Sequence, residues 1–315
     1  MAPPQGAALW PGAHEIGTYR GQAWEQFNLP GAARRGILIN PGNTAPLLAR
    51  RQIVVIHDAG VYSTPEAYSW KFRTWYKLLQ NILIRRNVPV ATVSEFSRAE
   101  ILRHLPARPE QVSVIPEGAD HVGRIMEDET TLPRFGLERG RFVLAVGNLA
   151  AHKNLPALGP LAIQLRARQM RLVVAGNVLG RAFSAGGQQL LPDAAHYIGR
   201  VTDAQLKALF QAASCFVFPS RYEGYGLPVM EAMASACPVV AADIPALRET
   251  CGGAALYCDP SSPDHIAQTV LQLCDSQNLQ AQRRTAGQHH VASLTWARAA
   301  LALQDIIIAH YGGKA

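Results

Sequence analysis

Glu223 and Glu231 are the acids whose setting most suggests chemistry. They bracket seven residues within CFVFPSRYEGYGLPVMEAMASACPVVAAD, positions 215–243. The stretch reads as a strand (Cys215 to Pro219), a loop punctuated by Gly224 and Gly226, a helix opening at Pro228 and a second strand (Val239 to Asp243). Glu223 falls in the loop and Glu231 one turn into the helix. Both carboxylates can therefore face the crevice at the carboxyl ends of the strands, where open α/β sheets bind ligands. The two glycines let backbone N–H groups approach a ligand closely, and the helix start favours an anion.

Two further positions carry chemistry. Lys153, in AHKNL after the turn Gly147-Asn148, follows a strand and opens a helix. His57 ends the strand IVVIHD and is followed by Gly60. At the carboxyl end of a parallel strand it would face an interdomain cleft. No D-x-D motif and no His/carboxylate cluster with ligand spacing occurs, so no metal site is expected. The five cysteines (215, 237, 251, 258 and 274) form no CxxC. They read as reduced, small buried hydrophobes of a cytoplasmic protein.

These residues need a frame, and the chain supplies one by alternation of apolar strands and helices. Strands are expected at Gly36–Asn40, Ile53–Asp58, Val90–Ser94 and Val112–Pro116, with helices over Glu66–Arg86 and Ser97–Leu105 between them. After a polar connector (Ala119 to Gly140) come strands at Phe142–Val146, Arg171–Ala175, Ala195–Ile198, Cys215–Pro219, Val239–Ala242 and Ala255–Tyr257. Helices Pro263–Cys274 and Trp296–Ala309 close the chain. The pattern predicts α/β architecture with parallel sheets covered on both faces. The expected domains are 1–135, 136–297 and a last helix, 298–315.

At 315 residues, 48% hydrophobic and 17% charged, the chain is globular rather than disordered. The net charge of +7 suits a polyanionic ligand or an anionic membrane surface. Dispersed basic residues without a recognition module argue against nucleic acid. The helix from Glu66 to Arg86 mixes Trp70, Phe72, Trp75 and Tyr76 with Lys71, Arg73, Lys77, Arg85 and Arg86, a blend that suits either an amphipathic surface helix packed on its own sheet or peripheral contact with an anionic membrane. No leader and no run of ~18 apolar residues is read, so no spanning segment is expected.

The segments EGYGLP…EAM…PVVA, VGNLAAHKNL (146–155), YIGRVTDAQL (197–206), SEFSRAEIL (94–102) and VIPEGAD (114–120) together resemble the retaining, nucleotide-sugar-dependent glycosyltransferases of family 4, over about 250 residues. Bacterial polysaccharide mannosyltransferases are the nearest in appearance. The resemblance implies the GT-B fold, two Rossmann-like domains facing across a cleft, the second binding the donor and the last helix crossing back to the first. It implies hexose transfer, with mannose from GDP-mannose the first candidate and UDP-glucose the second, to a glycan or lipid-linked acceptor in polysaccharide assembly. No cofactor or metal is needed, and the place of work is the cytoplasm, at the inner face of the membrane.

The resemblance also assigns roles. Glu223 contacts the donor sugar's hydroxyls and Glu231 accepts hydrogen bonds from the ribose, since a carboxylate offers only acceptors to hydroxyl donors. Lys153 neutralises the departing diphosphate. His57 positions or polarises near the reacting sugar. Gly147, Asn148, Gly224, Tyr225, Gly226 and Leu227 line the donor loops, Tyr225 standing where the family has Phe. Arg200 and Val201 lie where relatives hold the nucleobase. His152 replaces an arginine common before the lysine, a charge that a free histidine would carry only below ~6.5. Ser94 and Ser97 are expected to cap the helix after them, and Glu117-Gly118 to form a turn.

The first domain looks shortened by one or two βα units, because nothing before residue 36 supplies the family's opening strand and glycine loop. A non-catalytic nucleotide-sugar-binding subunit, or a GT-B epimerase or phosphorylase, therefore stays open beside the transferase.

Overall fold

The computed structural model describes residues 1–3, 12–177 and 191–312. The chain divides into two compact units. Unit 1 is Met1–Tyr62, Lys71–Ile115 and Leu301–Ala315; unit 2 is Ser63–Trp70 and Pro116–Ala300. Within the 298–315 segment read from the sequence, the last three residues lie outside the described residues.

Unit 1 is built on four parallel strands in the order β1 (Leu38–Asn40), β2 (Gln52–Val55), β3 (Val90–Thr92) and β4 (Val112–Val114). Among the described residues no strand precedes Leu38. Helices α1 (Trp70–Arg85) and α2 (Glu95–His104) follow β2 and β3. Leu79, Leu83 and Ile84 of α1 pack under the sheet with Val54, Val90 and Ile101. That is the i, i+4 stripe expected of a half-buried helix. One aromatic and one lysine of α1 are committed to the fold: Trp75 Nε1 donates to Gln22 Oε1, and Lys77 lies over the Tyr62 ring. Lys71, Arg85 and Arg86 stay exposed.

Unit 2 carries a six-stranded parallel sheet. Its strands are β5 (Phe142–Val146), β6 (Arg171–Ala175), β7 (His196–Gly199), β8 (Cys215–Phe218), β9 (Val239–Ala242) and β10 (Leu256–Cys258), in the order β10-β9-β8-β5-β6-β7. This is the doubly wound Rossmann order, with its topological switch between β5 and β8. All of β8 and β9 is buried, as continuous apolar strands covered on both faces must be. Its helices of seven or more residues are α3 (Gly159–Ala167), α4 (Asp203–Ala212), α5 (Leu227–Ala234), α6 (Pro245–Cys251), α7 (Pro263–Asp275) and α8 (Gln277–Val291), with α9 (Trp296–Tyr311) closing the chain.

Several expectations shift. The polar connector does not stand apart: from Pro116 onward it is part of unit 2, where Lys207 Nζ donates to the carbonyls of Val122 and Ile125. Lys153 does not open an α-helix; it ends a 3₁₀ turn, Ala151–Lys153, and a second turn intervenes before α3. Ser94 caps α2 through Ser97 N–H, whereas the Ser97 hydroxyl donates to the His57 carbonyl. By length and composition Gln277–Tyr311 could cross a membrane. It is, however, broken between α8 and α9, and Ile306 packs in unit 1 on Ile53 and Ala91. Tyr311 then ties the chain end to β2, its hydroxyl donating to Gln52 O at 2.8 Å. Four of the five thiols are buried and Cys274 is half-buried; burial pushes Cys237, Cys251 and Cys258 up to about 12, which leaves them inert near neutral pH.

Candidate active site

The two strands flanking the switch point, β5 and β8, deliver Lys153 and Glu223. Their side chains meet with Nζ 2.6 Å from Oε1, at 16% and 12% exposure. So short a charge-assisted bond between two largely covered groups is strong. Lys153 also lies over the Phe218 ring, 5.2 Å from its centroid, and its stem passes Gly147, where a Cβ would meet Cδ at 3.5 Å.

Backbone contacts hold the two loops in register. Arg221 N–H donates to the His152 carbonyl at 2.8 Å. Asn154 adopts the left-handed conformation (φ 57°) and its amide donates to Pro219 O and Pro260 O. Gly147 is approached so closely by Gly176 that a Cβ there would lie 1.7 Å from the Gly147 carbonyl oxygen. Only glycine fits at Gly176. Beside it, Asn148 Oδ1 is buried with no hydrogen-bond partner among the described residues, an acceptor held out of water without a donor.

His152 is not a second cation. Burial first, then the Lys153 charge, push its pKa down to about 4, so it is neutral at physiological pH. Lys153 alone carries the positive charge of this turn.

The loop after β8 enters α5 through Gly226, whose φ of 92° would strain any other residue and where a Cβ would press on Leu247 Cδ2 at 2.5 Å. Gly226 offers no side-chain cap; Pro228 has no N–H and Val229 N–H donates to Gly226 O at 2.8 Å, so Leu227 supplies the leading N–H at the positive end of the α5 dipole. The preceding Tyr225 faces inward. Its hydroxyl donates to Glu117 O at 2.9 Å, and burial raises its pKa to about 12. It shapes the loop by packing.

Glu231, in α5, forms its own pair. His121 Nε2 lies 3.1 Å from its Oε1, beside a cavity of about 70 Å³ lined by Asp203, Lys207, Phe210 and Ser235. Burial raises the Glu231 pKa, and the His121 hydrogen bond works against that rise. Among the described residues no hydrogen bond or ion pair joins Arg200 or Val201 to Lys153 or Glu223. The two residues lie between β7 and the Thr202 capping box of α4, Arg200 exposed. His57 belongs to unit 1. There its N–H donates to Asn43 Oδ1, and its Nε2 lies 2.7 Å from Pro41 O, so that nitrogen carries the hydrogen.

Reading the sequence misses Gly176, Asn154, His121 and Trp296. Asn154 had a usable signal, since Asn tolerates the left-handed conformation at a turn. The others act through contacts distant in sequence, which spacing does not reveal.

The glycosyl transferases group 1 family profile matches residues 128–290, more than half of the chain. The chain belongs to the glycosyl transferases group 1. Among its relatives are the O-antigen chain mannosyltransferase B of Escherichia coli (32% identical, 74% of this chain and 63% of that protein) and the O-antigen chain mannosyltransferase RfbU of Salmonella typhimurium (29%, 69% and 59%). The MMP alpha-(1->4)-mannosyltransferase of Mycolicibacterium hassiacum is 29% identical over 65% of this chain and 50% of its own length. The chain thus spans between half and two thirds of these relatives. Among solved structures, the sucrose-phosphate synthase of Thermosynechococcus elongatus superimposes with a TM-score of 0.69 at 21% identity, covering 84% of this chain and 69% of that one. Anabaena Alr3699/HepE in complex with UDP also gives 0.69, at 18% identity over 90% and 81%. The fold is accordingly of the GT-B class, as the motifs imply.

Proposed function

We propose that this group 1 glycosyltransferase moves a hexose, mannose from GDP-mannose in the first instance, to a glycan or lipid-linked acceptor in polysaccharide assembly. Transfer retains the anomeric configuration and needs no metal. The observation that carries the reading is the Lys153–Glu223 pair at the switch point, 2.6 Å apart. A diphosphate carries more charge than one carboxylate, so it can take the ammonium over. Glu223 is thereby released to accept hydrogen bonds from sugar hydroxyls. As the anomeric carbon gains oxocarbenium character, negative charge builds on the leaving diphosphate, where Lys153 and the positive end of α5 at Leu227 stabilise it. A same-face displacement assisted by the leaving phosphate fits this arrangement.

In this reading Glu231 accepts from the ribose, Arg200 and Val201 flank the base, and His57 positions or polarises the reacting sugar. The relatives named O-antigen chain mannosyltransferases favour mannose as the sugar and a polysaccharide acceptor. Contact with the inner face of the cytoplasmic membrane belongs to the same proposal, resting on the exposed Lys71, Arg85 and Arg86 of α1.

The test is incubation with labelled GDP-mannose and a membrane extract, followed by NMR of the product's anomeric centre. Transfer with an α linkage supports the reading. Binding without turnover, or phosphorolysis or epimerisation of the sugar, overturns it.

A further inference from the structure

We propose that His121 is a positioning residue for Glu231, and that Trp296 selects the ring tautomer in which it works. The inference rests on the reading of Glu231 as the ribose acceptor. An indole N–H can only donate, and Trp296 Nε1 lies 3.1 Å from His121 Nδ1. Nδ1 must therefore accept, which places the ring hydrogen on Nε2, facing Glu231 Oε1 at 3.1 Å. The reversed tautomer would set two donors against each other at Trp296 and two acceptors at Glu231, and a flipped ring would offer both partners only carbon.

Trp296 is pinned in turn. Its backbone N–H donates to Asp120 Oδ1 at 2.7 Å, Ala119 N–H donates to Leu294 O at 2.9 Å, and a Cβ on Gly118 would come within 2.3 Å of Trp296 N. Tyr225 closes the same strap from the loop side, through Glu117 O. Every residue of EGADH (117–121) thus has a task, and the last of them is the contact with Glu231.

Among the described residues no lysine or arginine forms an ion pair with the carboxylate. Lys207, which lines the same cavity, spends its ammonium on the carbonyls of Val122 and Ile125. Asp203 and Glu117 add negative charge, and burial disfavours ionisation. His121 opposes all three while fixing the plane of the carboxylate, so one oxygen is held and the other can be presented to a ribose hydroxyl.

The test compares calorimetric affinities of GDP and UDP with those of their 2′,3′-dideoxy forms. The proteins are the full chain and its His121→Ala, His121→Gln, Trp296→Phe and Glu231→Ala variants, each checked by circular dichroism and melting. For the wild type a preference for ribose of at least ~10-fold is expected from a hydrogen bond to a charged group. His121→Ala should bring it within ~3-fold while leaving dideoxy affinity in place. His121→Gln, whose amide can set an N–H where Nε2 stands, should restore most of it, and Trp296→Phe should fall between. If the wild type discriminates, Glu231→Ala does not, and His121→Ala discriminates like the wild type, the positioning role is overturned while the Glu231 reading survives. Equal losses for ribose and dideoxy ligands overturn the positioning role too. A wild type blind to the ribose removes the Glu231 reading and the inference with it.

Discussion

Two carboxylates of unit 2, Glu223 and Glu231, stand eight residues apart and are held in opposite ways. Glu223, on the loop after β8, is gripped by a full positive charge at 2.6 Å. Glu231, in α5, is held by a histidine that donates one hydrogen bond at 3.1 Å and whose other nitrogen is occupied by Trp296. A cation can be claimed by a stronger anion. A neutral donor wedged under an indole has nothing to exchange. In the proposed reading the first carboxylate is released when a diphosphate arrives, and the second stays fixed. On that proposal, a sugar and its nucleoside would be read by the same residue type in two electrostatic states.

The contrast breaks most visibly at the cation. Lys153→Ala should lower kcat by ~10²–10³-fold, as removal of a group that stabilises transition-state charge does. Steady-state turnover checks it, and a loss confined to KM would place the lysine in ground-state binding alone. Glu223→Ala comes next, with a fall of ~100-fold in kcat from lost contacts to the sugar. Near-normal turnover of that variant would remove Glu223 from the mechanism. Glu231→Ala should act on the other term, raising the KM for donor by ~10–30-fold with kcat largely kept, because a fixed contact binds ground and transition states alike.

The smallest effect concerns His152, the neighbour that might have duplicated the lysine's charge. Its native pKa of about 4 lies below the usual value near ~6.5 of the unfolded chain. Between those values the unfolded chain binds a proton that the native protein does not, so stability falls as pH drops from about 6.5 to 4 and is unaffected above that window. A melting-temperature series against pH should show this decline, and His152→Gln should flatten part of it. Turnover should show no limb near pH 6.5 from this residue.

Much of this was legible beforehand where the physics is local. β5, β6 and β9 fall where continuous buried apolar runs put them, and the glycine at 226 marks a backbone conformation that its neighbours cannot adopt. The polar helix α8 left no trace, because only Gly287 and Val291 of its residues are buried and no apolar stripe betrays it. The site divides along the same line. Lys153 and Glu223 follow strands at the switch point, so topology alone brings them to one edge. His121 reaches Glu231 across 110 positions, and Gly176 touches Gly147 through a sheet neighbour, so both depend on register that no motif encodes. The neutrality of His152 is likewise a product of burial.

The central claim is that the ammonium of Lys153 changes partners when the donor binds. Calorimetric titration of GDP into the wild type and Glu223→Gln tests it most directly. With the carboxylate charge gone, Lys153 starts unpaired and GDP should bind several-fold more tightly, on the order of 3–10-fold. An affinity that is unchanged or weaker in Glu223→Gln would contradict the exchange.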